Sequence, residues 1–420
     1  MLYERWRSVA REHRKEIALR ELSSGQQWTF GQLWEKCEAT ACPAEGVSCP
    51  QGLSAEFIFT VLRAWRWGRV VAPLEAGEVL PDASGLPAQI AHLKTTSATT
   101  GSCRHVALTA EQLMADADNI VRTMGLRVEW PNLAVISLAH SYGFSNLIAP
   151  LLLHGIPLVV GTAPLPEAVR KAAALVPEIT LPAVPALWRV WHESGAIPSN
   201  VRLAISAGAP LPLALEEGIF QATDIKVHNF YGATECGGIA YDPSDRPRAD
   251  AACAGSALQG VELTTTEAGG LAVRSAAVAE TYWREASPSL GNGRYLTNDF
   301  AELREGLVFL GGRAGDQINM AGRKISPESI ERVLQTHPGV RECLVFGVPI
   351  AEAGRGEAVV ACVVAWPTVT QEELRQFILA KLPAWQVPRD WWFVDSLEVN
   401  ERGKISRSAW RRKYQERLAS

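Results

Sequence analysis

At 420 residues the chain is too long for one ordinary core and suits two or three packed units. Hydrophobic residues make up 47% and charged residues 20%, as in soluble globular proteins, and 41 basic against 45 acidic side chains leave a net charge of −4. That mild acidity gives neither nucleic acid nor an anionic membrane surface an electrostatic hold, so neither is expected as a partner.

The start, Met1 to Lys15, is charged and holds no apolar run of signal-peptide length. The apolar runs 147–153 and 156–160 are broken by His154, Gly155 and Pro157, far short of the roughly 20 residues that span a bilayer. The expectation is a cytoplasmic protein. Its cysteines (37, 42, 49, 103, 236, 253, 343 and 362) contain no C-x2-C pair, which argues for reduced thiols rather than a structural zinc site.

The first 80 residues mix short helical and strand signals, with helical apolar spacing over 55–71 that ends at Gly68 and a β-branched run. Thr109 and Gln112 form a capping box, and Leu113, Ala117, Ile120, Val121 and Met124 make one stripe of the helix that follows. Short apolar runs at 133–138, 157–160, 201–205 and 225–227 predict buried strands, with helices at 166–175 and 213–222 between them. This alternation predicts an α/β fold with a largely parallel sheet. The strands lead into AHSYG, SAGAP and HNFYGATE. Ligands bind outside the carboxyl ends of such strands, so the three turns are expected to line one cleft.

A smaller α+β unit begins near Arg313, after the glycine-rich GGRAGD. Ser326 and Pro327 start a helix carrying Ile330, Val333 and Leu334. Strands are expected at 343–348, 358–365 and 391–394, with a helix capped by Thr370 and Glu373. The residues beyond the loop 400–407 read as a basic tail.

Several segments carry chemistry. The loop 95–104 places Thr95, Thr96, Ser97, Thr99, Thr100 and Ser102 around Gly101 and closes on Arg104. Hydroxyls, backbone N–H groups and a cation in such a turn can wrap phosphate oxygens, although the loop lacks the G-x-x-x-x-G-K-[ST] pattern. In NFYGATECGG, 229–238, a Tyr-Gly pair lets the backbone approach a planar ring, Thr234 offers a hydroxyl, and Glu235 offers the hard oxygen that magnesium prefers. In YLTNDFAE, 295–302, Asp299 has two oxygens for a ribose diol, and Arg313 can donate to the same sugar. Lys404, in NERGKISR, is aimed outward by Gly403 and can neutralise charge developing between a carboxylate and a phosphate.

In this order the segments resemble the acyl-adenylate-forming superfamily of acyl-CoA synthetases, peptide-synthetase adenylation domains and luciferases. The family's T-S-G-T-T-G-x-P-K is TSATTGSCR at 96–104, its Y-G-x-T-E is 231–235, its T-G-D is 297–299 with Asn298 in the middle, and its G-K-x-x-R is 403–407. G-R-x-x-D is 312–316, with the later glycine at Gly322. SAGAPL resembles the turn flanking adenine, and AHSYG the gate motif near the acyl pocket. The resemblance covers about 93 to 407.

The resemblance implies a large N-terminal ATP- and acid-binding α/β domain, 1–313, and a small mobile C-terminal α+β domain, 314–420, hinged near Gly315. It implies ATP-dependent formation of an acyl-AMP, with magnesium, and then transfer to a thiol. Thr96, Ser97, Thr99, Thr100, Gly101 and Arg104 would hold the β- and γ-phosphates. Thr234 would contact the α-phosphate and Glu235 the magnesium ion. Gly208, Ala209, Pro210, Asn229, Phe230, Tyr231 and Gly232 would flank adenine, and Asp299 and Arg313 would hold the ribose. Lys404 would bridge carboxylate and phosphate, and rotation of the small domain would bring the Gly322 loop to the thiol tunnel. The acyl pocket would be lined by His140, Tyr142, Gly143, Phe144, Ala207, Gly232, Ala233 and Gly237, with His140 also counted as catalytic.

These lining residues include no carboxylate to pair with an ammonium, which favours an aryl or fatty acid over an α-amino acid. The acceptor is coenzyme A or, alternatively, the phosphopantetheine of a separate acyl-carrier protein acting in trans. A decayed, non-catalytic nucleotide-binding protein is the remaining alternative. Arg104 stands where the family has lysine, Ala98 where it has glycine, and Cys103 where it has proline. Only residues 79–94 separate PLEAGE from the loop, which implies a shortened front end and apolar surface for a homodimer to cover.

Overall fold

The computed structural model describes residues 1–43, 46–79, 81–96, 104–320, 323–350, 356–398 and 405–419. Among them a long twisted sheet carries the larger N-terminal domain. One half is parallel: Ile17–Glu21, Leu158–Val160, Asn132–Leu133, Ile179–Ala183, Val201–Ser206 and Val227–Ala233 lie side by side in that order. The other half is antiparallel and continues through Gly237–Tyr241, Cys253–Ala257, Leu307–Arg313, Arg294–Arg304, Gly270–Ser275 and Val261–Thr265. The change of direction falls on Val227–Ala233, the strand that holds the Tyr-Gly pair. A second sheet orders Thr281–Trp283, His105–Thr109, Ile90–Thr95, Val70–Val71 and Val47–Ser48.

The helix Ala110–Met124 has the predicted reciprocal capping box and ends on a left-handed Gly125. Its stripe is buried at Leu113, Ala117, Ile120 and Met124, but the same face also buries Asp116. The helix Ala55–Arg66 packs Phe57, Ile58, Val61 and Leu62 into a core shared with Trp6, Phe30 and Leu33. Strands Val70–Val71 and Ile90–Thr95 run parallel, yet residues 72–89 between them contribute no helix or strand among those described. A crossover of this kind is usually helical.

Three strand expectations change. The run 133–138 is a strand only at Asn132–Leu133: after Ala134 N–H bonds Val159 O, the chain leaves the sheet, and Ser137 Oγ accepts from Ala139 N–H at 3.1 Å to shape the turn. The run 225–227 becomes Val227–Ala233, so HNFYGA is strand rather than the turn after it. Ile179–Ala183 was not anticipated, because Pro182 argues against an inner strand; its neighbour Asn132–Leu133 meets it only at Thr180, leaving the Pro182 end paired on one side only.

The smaller C-terminal domain packs Val340–Pro349 against Glu357–Ala365, with Asp390–Phe393 parallel at the edge. Helices Pro327–Gln335 and Gln371–Leu379 cover one face through Ile330, Leu334, Leu374 and Ile378. The other face is covered by Arg407–Ala419, a helix where the sequence read as a basic tail. Its charges hide two apolar residues one turn apart, and Trp410 and Tyr414 are buried against Phe346 and Trp392. No helix among the described residues is long and apolar enough to cross a membrane.

Candidate active site

The carboxyl ends of three parallel strands are in register: Ala183 pairs with Ser206, and Ser206 with Asn229. Tyr142, from AHSYG, sits over them with its hydroxyl 3.5 Å from both Ala183 O and Ile205 O and its ring 6.0 Å from Phe230. The three predicted turns therefore meet at one end of the sheet. Gly208 and Pro210 are exposed there, Ala209 is half-buried, and Asn229 and Phe230 are buried behind them.

Tyr231, Asp299 and Arg313 form one cluster. The antiparallel register sets Asp299 opposite Arg313, whose Nε donates to Asp299 Oδ1 at 2.9 Å, while the Tyr231 hydroxyl donates to Oδ2 at 2.6 Å. Thr297 Oγ1 accepts from Asp299 N–H at 3.1 Å and fixes the strand locally. Burial, then the Asp299 charge, pushes the Tyr231 phenol well above its ordinary range, so it stays a donor. Burial opposes the Arg313 charge, but Asp299 overcomes it and raises the guanidinium. A carboxylate has about four lone-pair sites, so Asp299 retains acceptor capacity for a diol.

Thr234 and Glu235 lie in the tight turn between Val227–Ala233 and Gly237–Tyr241. Glu235 O accepts from Ala279 N–H at 2.9 Å, and Glu235 Oε1 accepts from the Tyr282 hydroxyl at 2.9 Å. Tyr282 carries the Arg104 guanidinium over its ring at 3.8 Å. Arg104 closes the hydroxyl-rich segment 95–104, where Thr96 N–H donates to Arg104 O at 2.8 Å and Arg104 N–H to Thr96 Oγ1 at 3.1 Å. The loop mouth is thereby set beside the Glu235 turn. Ser97, Thr99, Thr100 and Gly101 lie outside the described residues. A hard carboxylate next to a cation and a hydroxyl loop suits a magnesium-bound polyphosphate.

In AHSYG, Gly143 is required by contact: a Cβ there would fall 1.8 Å from Ser137 O. His140 Nε2 lies 3.3 Å from Glu75 Oε1, and the Ser137 hydroxyl donates to the same oxygen. Glu75 is a carboxylate at this wall that sequence reading missed, engaged by His140 and Ser137. Ala207 and Gly237 are buried, Ala233 is half-buried and Gly232 exposed. Phe144 belongs to the core, fully buried with its ring 4.3 Å from His92. Gly315 sits in the exposed 3-10 turn Ala314–Asp316; Gly322 and Lys404 lie outside the described residues. Tyr282 and Asp116 were also missed, since their partners are distant in sequence.

The family model described as AMP-binding enzyme matches residues 54–283, and that described as AMP-binding enzyme C-terminal domain matches 329–404. A probable 2-succinylbenzoate–CoA ligase of Mycobacterium tuberculosis is 28% identical over 371 residues, 82% of this chain and 88% of its own length. The long-chain-fatty-acid–CoA ligase FadD13 of the same species is 26% identical over 340 residues, 76% of this chain and 66% of its own. Among solved structures, o-succinylbenzoate CoA synthetase from Bacillus subtilis, in complex with its acyl-adenylate intermediate, superposes with a TM-score of 0.82 at 21% identity, covering 97% of both chains. With more than half of its length inside the first match, and the Tyr231, Asp299 and Arg313 cluster assembled where the sheet changes direction, the chain belongs to the AMP-binding enzyme family.

Proposed function

We propose that the chain activates an aryl or fatty acid with ATP and passes the acyl group to coenzyme A. In the first half-reaction a carboxylate oxygen bonds to the α-phosphorus and pyrophosphate leaves, giving acyl-AMP. In the second, a thiolate bonds to the acyl carbon and AMP leaves, giving the thioester. The observation that supports this reading is the Tyr231–Asp299–Arg313 cluster with Glu235 in the turn just after Tyr231, and Arg104 held beside Glu235 through Tyr282.

Catalysis of the first step is positioning and charge neutralisation. Asp299 and Arg313 hold the ribose, and Gly208, Ala209, Pro210 and Tyr231 flank adenine. The loop from Thr96 to Arg104 holds the β- and γ-phosphates, and Thr234 the α-phosphate. Glu235 would hold the magnesium ion, which would supply positive charge to the phosphate oxygens. Lys404 neutralises charge between carboxylate and α-phosphate. The domain 314–420 then turns about Gly315, withdrawing Lys404 and presenting the Gly322 loop. The acid lies between His140 and the strand 231–233. Glu75 is already engaged by His140 and Ser137, which leaves the wall suited to an uncharged acyl group.

Acid-dependent exchange of labelled pyrophosphate into ATP, run across aryl, fatty and amino acids, tests this reading. Exchange with an aryl or fatty acid, followed by thioester formation on adding coenzyme A, is expected. Silence across the whole panel sinks it.

A further inference from the structure

Lys94, Asp116 and Ser145 form a closed polar triangle inside the core. Lys94 is 1% exposed and Asp116 also 1%. Lys94 Nζ lies 3.4 Å from Asp116 Oδ2 and donates to Ser145 Oγ at 2.9 Å, and Ser145 Oγ donates to Asp116 Oδ2 at 2.6 Å. The other carboxylate oxygen, Oδ1, leaves the triangle and accepts from Gly238 N–H at 3.1 Å.

Each of the three groups that Asp116 meets belongs to a different wall of the site. Lys94 is in the strand Ile90–Thr95 that leads directly into the phosphate loop. Ser145 is in the π-helical turn Phe144–Ile148 that continues from His140 and Gly143. Gly238 follows the turn that holds Thr234 and Glu235. The approach at that turn is close: Gly237 has φ +71°, and a Cβ there would fall 1.9 Å from Asp116 Oδ1. Stability alone does not account for this arrangement, because a buried ion pair is often matched or bettered by apolar side chains of the same size.

We infer that Asp116, neutralised by Lys94 and oriented by Ser145, is a positioning residue that fixes the Glu235 turn against the phosphate-loop strand and the acid-side helix. This rests on the adenylation reading above. Asp116 touches no reactant; it acts through the backbone of the turn. Its loss therefore falls hardest on the half-reaction that engages MgATP through Glu235 and the phosphate loop, and less on the one that starts from acyl-AMP, whose α-phosphate meets the same turn through Thr234.

Two double variants separate positioning from support of the core. K94M/D116L removes both charges, fills similar space and deletes the acceptor for Gly238 N–H. K94M/D116N removes both charges and keeps that acceptor. Pyrophosphate exchange in K94M/D116L is expected to show a KM for MgATP raised about tenfold, equivalent to about 1.4 kcal/mol of lost binding. Its melting temperature should hold, and its conversion of supplied acyl-AMP to thioester should fall by less than exchange does. K94M/D116N should recover most of the lost exchange. Equal loss in both half-reactions, an unchanged KM in K94M/D116L, or no rescue by asparagine overturns the inference. Calorimetric titration of the same chains with MgATP keeps the two readings apart. A wild-type chain that binds MgATP without exchange sinks adenylation, while the affinity difference between the two variants still decides the role of Asp116.

Discussion

Glu235 accepts from Tyr282 at 2.9 Å, and the same tyrosine ring lies under the Arg104 guanidinium at 3.8 Å. Burial, then the Glu235 charge, pushes the Tyr282 phenol up to about 12, so the hydroxyl keeps its proton and acts as a donor at any working pH. Arginine at this closing position suits the geometry: a planar guanidinium stacks on a ring, where lysine would keep the charge and lose the stacked plane. Tyr282→Phe keeps the ring under Arg104 and removes only the donor to Glu235. A hydrogen bond to a charged group contributes about 1.5–3 kcal/mol, so the magnesium concentration that half-saturates pyrophosphate exchange should change by roughly tenfold. A magnesium titration of exchange reads this directly. An unchanged midpoint would mean that Tyr282 does not orient the carboxylate.

Among the elements, the helix Leu213–Thr223 is held beside the turn Gly208–Pro210 by a buried charge cluster. Glu216, fully buried, accepts from Lys226 Nζ, from Arg248 N–H at 3.0 Å and from Arg248 Nε at 2.9 Å. Lys226 also donates to Asp242 at 2.7 Å, and Arg248 Nη2 donates to Leu211 O at 2.7 Å, just past Pro210. Removing one partner of such a cluster leaves uncompensated charge, so Glu216→Gln should lower stability by about 3–5 kcal/mol. Urea unfolding measures it, and a shift below about 1 kcal/mol, the range of an exposed pair, would rule out the desolvated cluster.

The same scale separates what could be read in the sequence from what could not. The helices that start at Thr109 and Thr370 were legible because a capping box lies within four residues of chain. Strand ends were not, since leaving the sheet after Ala134 depends on Ser137 and Gly143, and the ladder at Pro182 depends on a neighbour that stops short. The site motifs were legible by their order, but their connections were not. Tyr282 is 47 residues from Glu235, Glu75 is 62 from Ser137, and Asp116 is 122 from Gly238. Each of these polar residues, alone in its segment, reads as ordinary surface.

Across the whole molecule, the small domain carries its own anchor for the loop before its last helix. Arg407 bonds Glu328 at 2.8 Å, Glu331 and Val345 O, and lies 3.4 Å from Asp316 in the turn that contains Gly315. Burial alone would discourage the Arg407 charge, but Glu331 and Glu328 more than restore it. Arg407 is thus fastened both to the helix Pro327–Gln335 and to the turn that holds the proposed hinge. Polar contacts between the two domains include Arg189 with Arg341 O at 2.8 Å and Arg332 with Leu310 O at 3.2 Å. Arg189 also pairs with Glu342 Oε1 at 3.2 Å, and polar contacts of such long side chains can break and re-form as domains move. If Lys404 serves only the arrangement that makes acyl-AMP, Lys404→Ala should slow pyrophosphate exchange by about a hundredfold, the typical cost of losing one transition-state donor. Thioester formation from supplied acyl-AMP should be unaffected, because in that step the domain has turned the lysine away. Measuring both half-reactions on one preparation decides it: equal slowing of the two would place Lys404 in both arrangements and remove the reason for a hinge at Gly315.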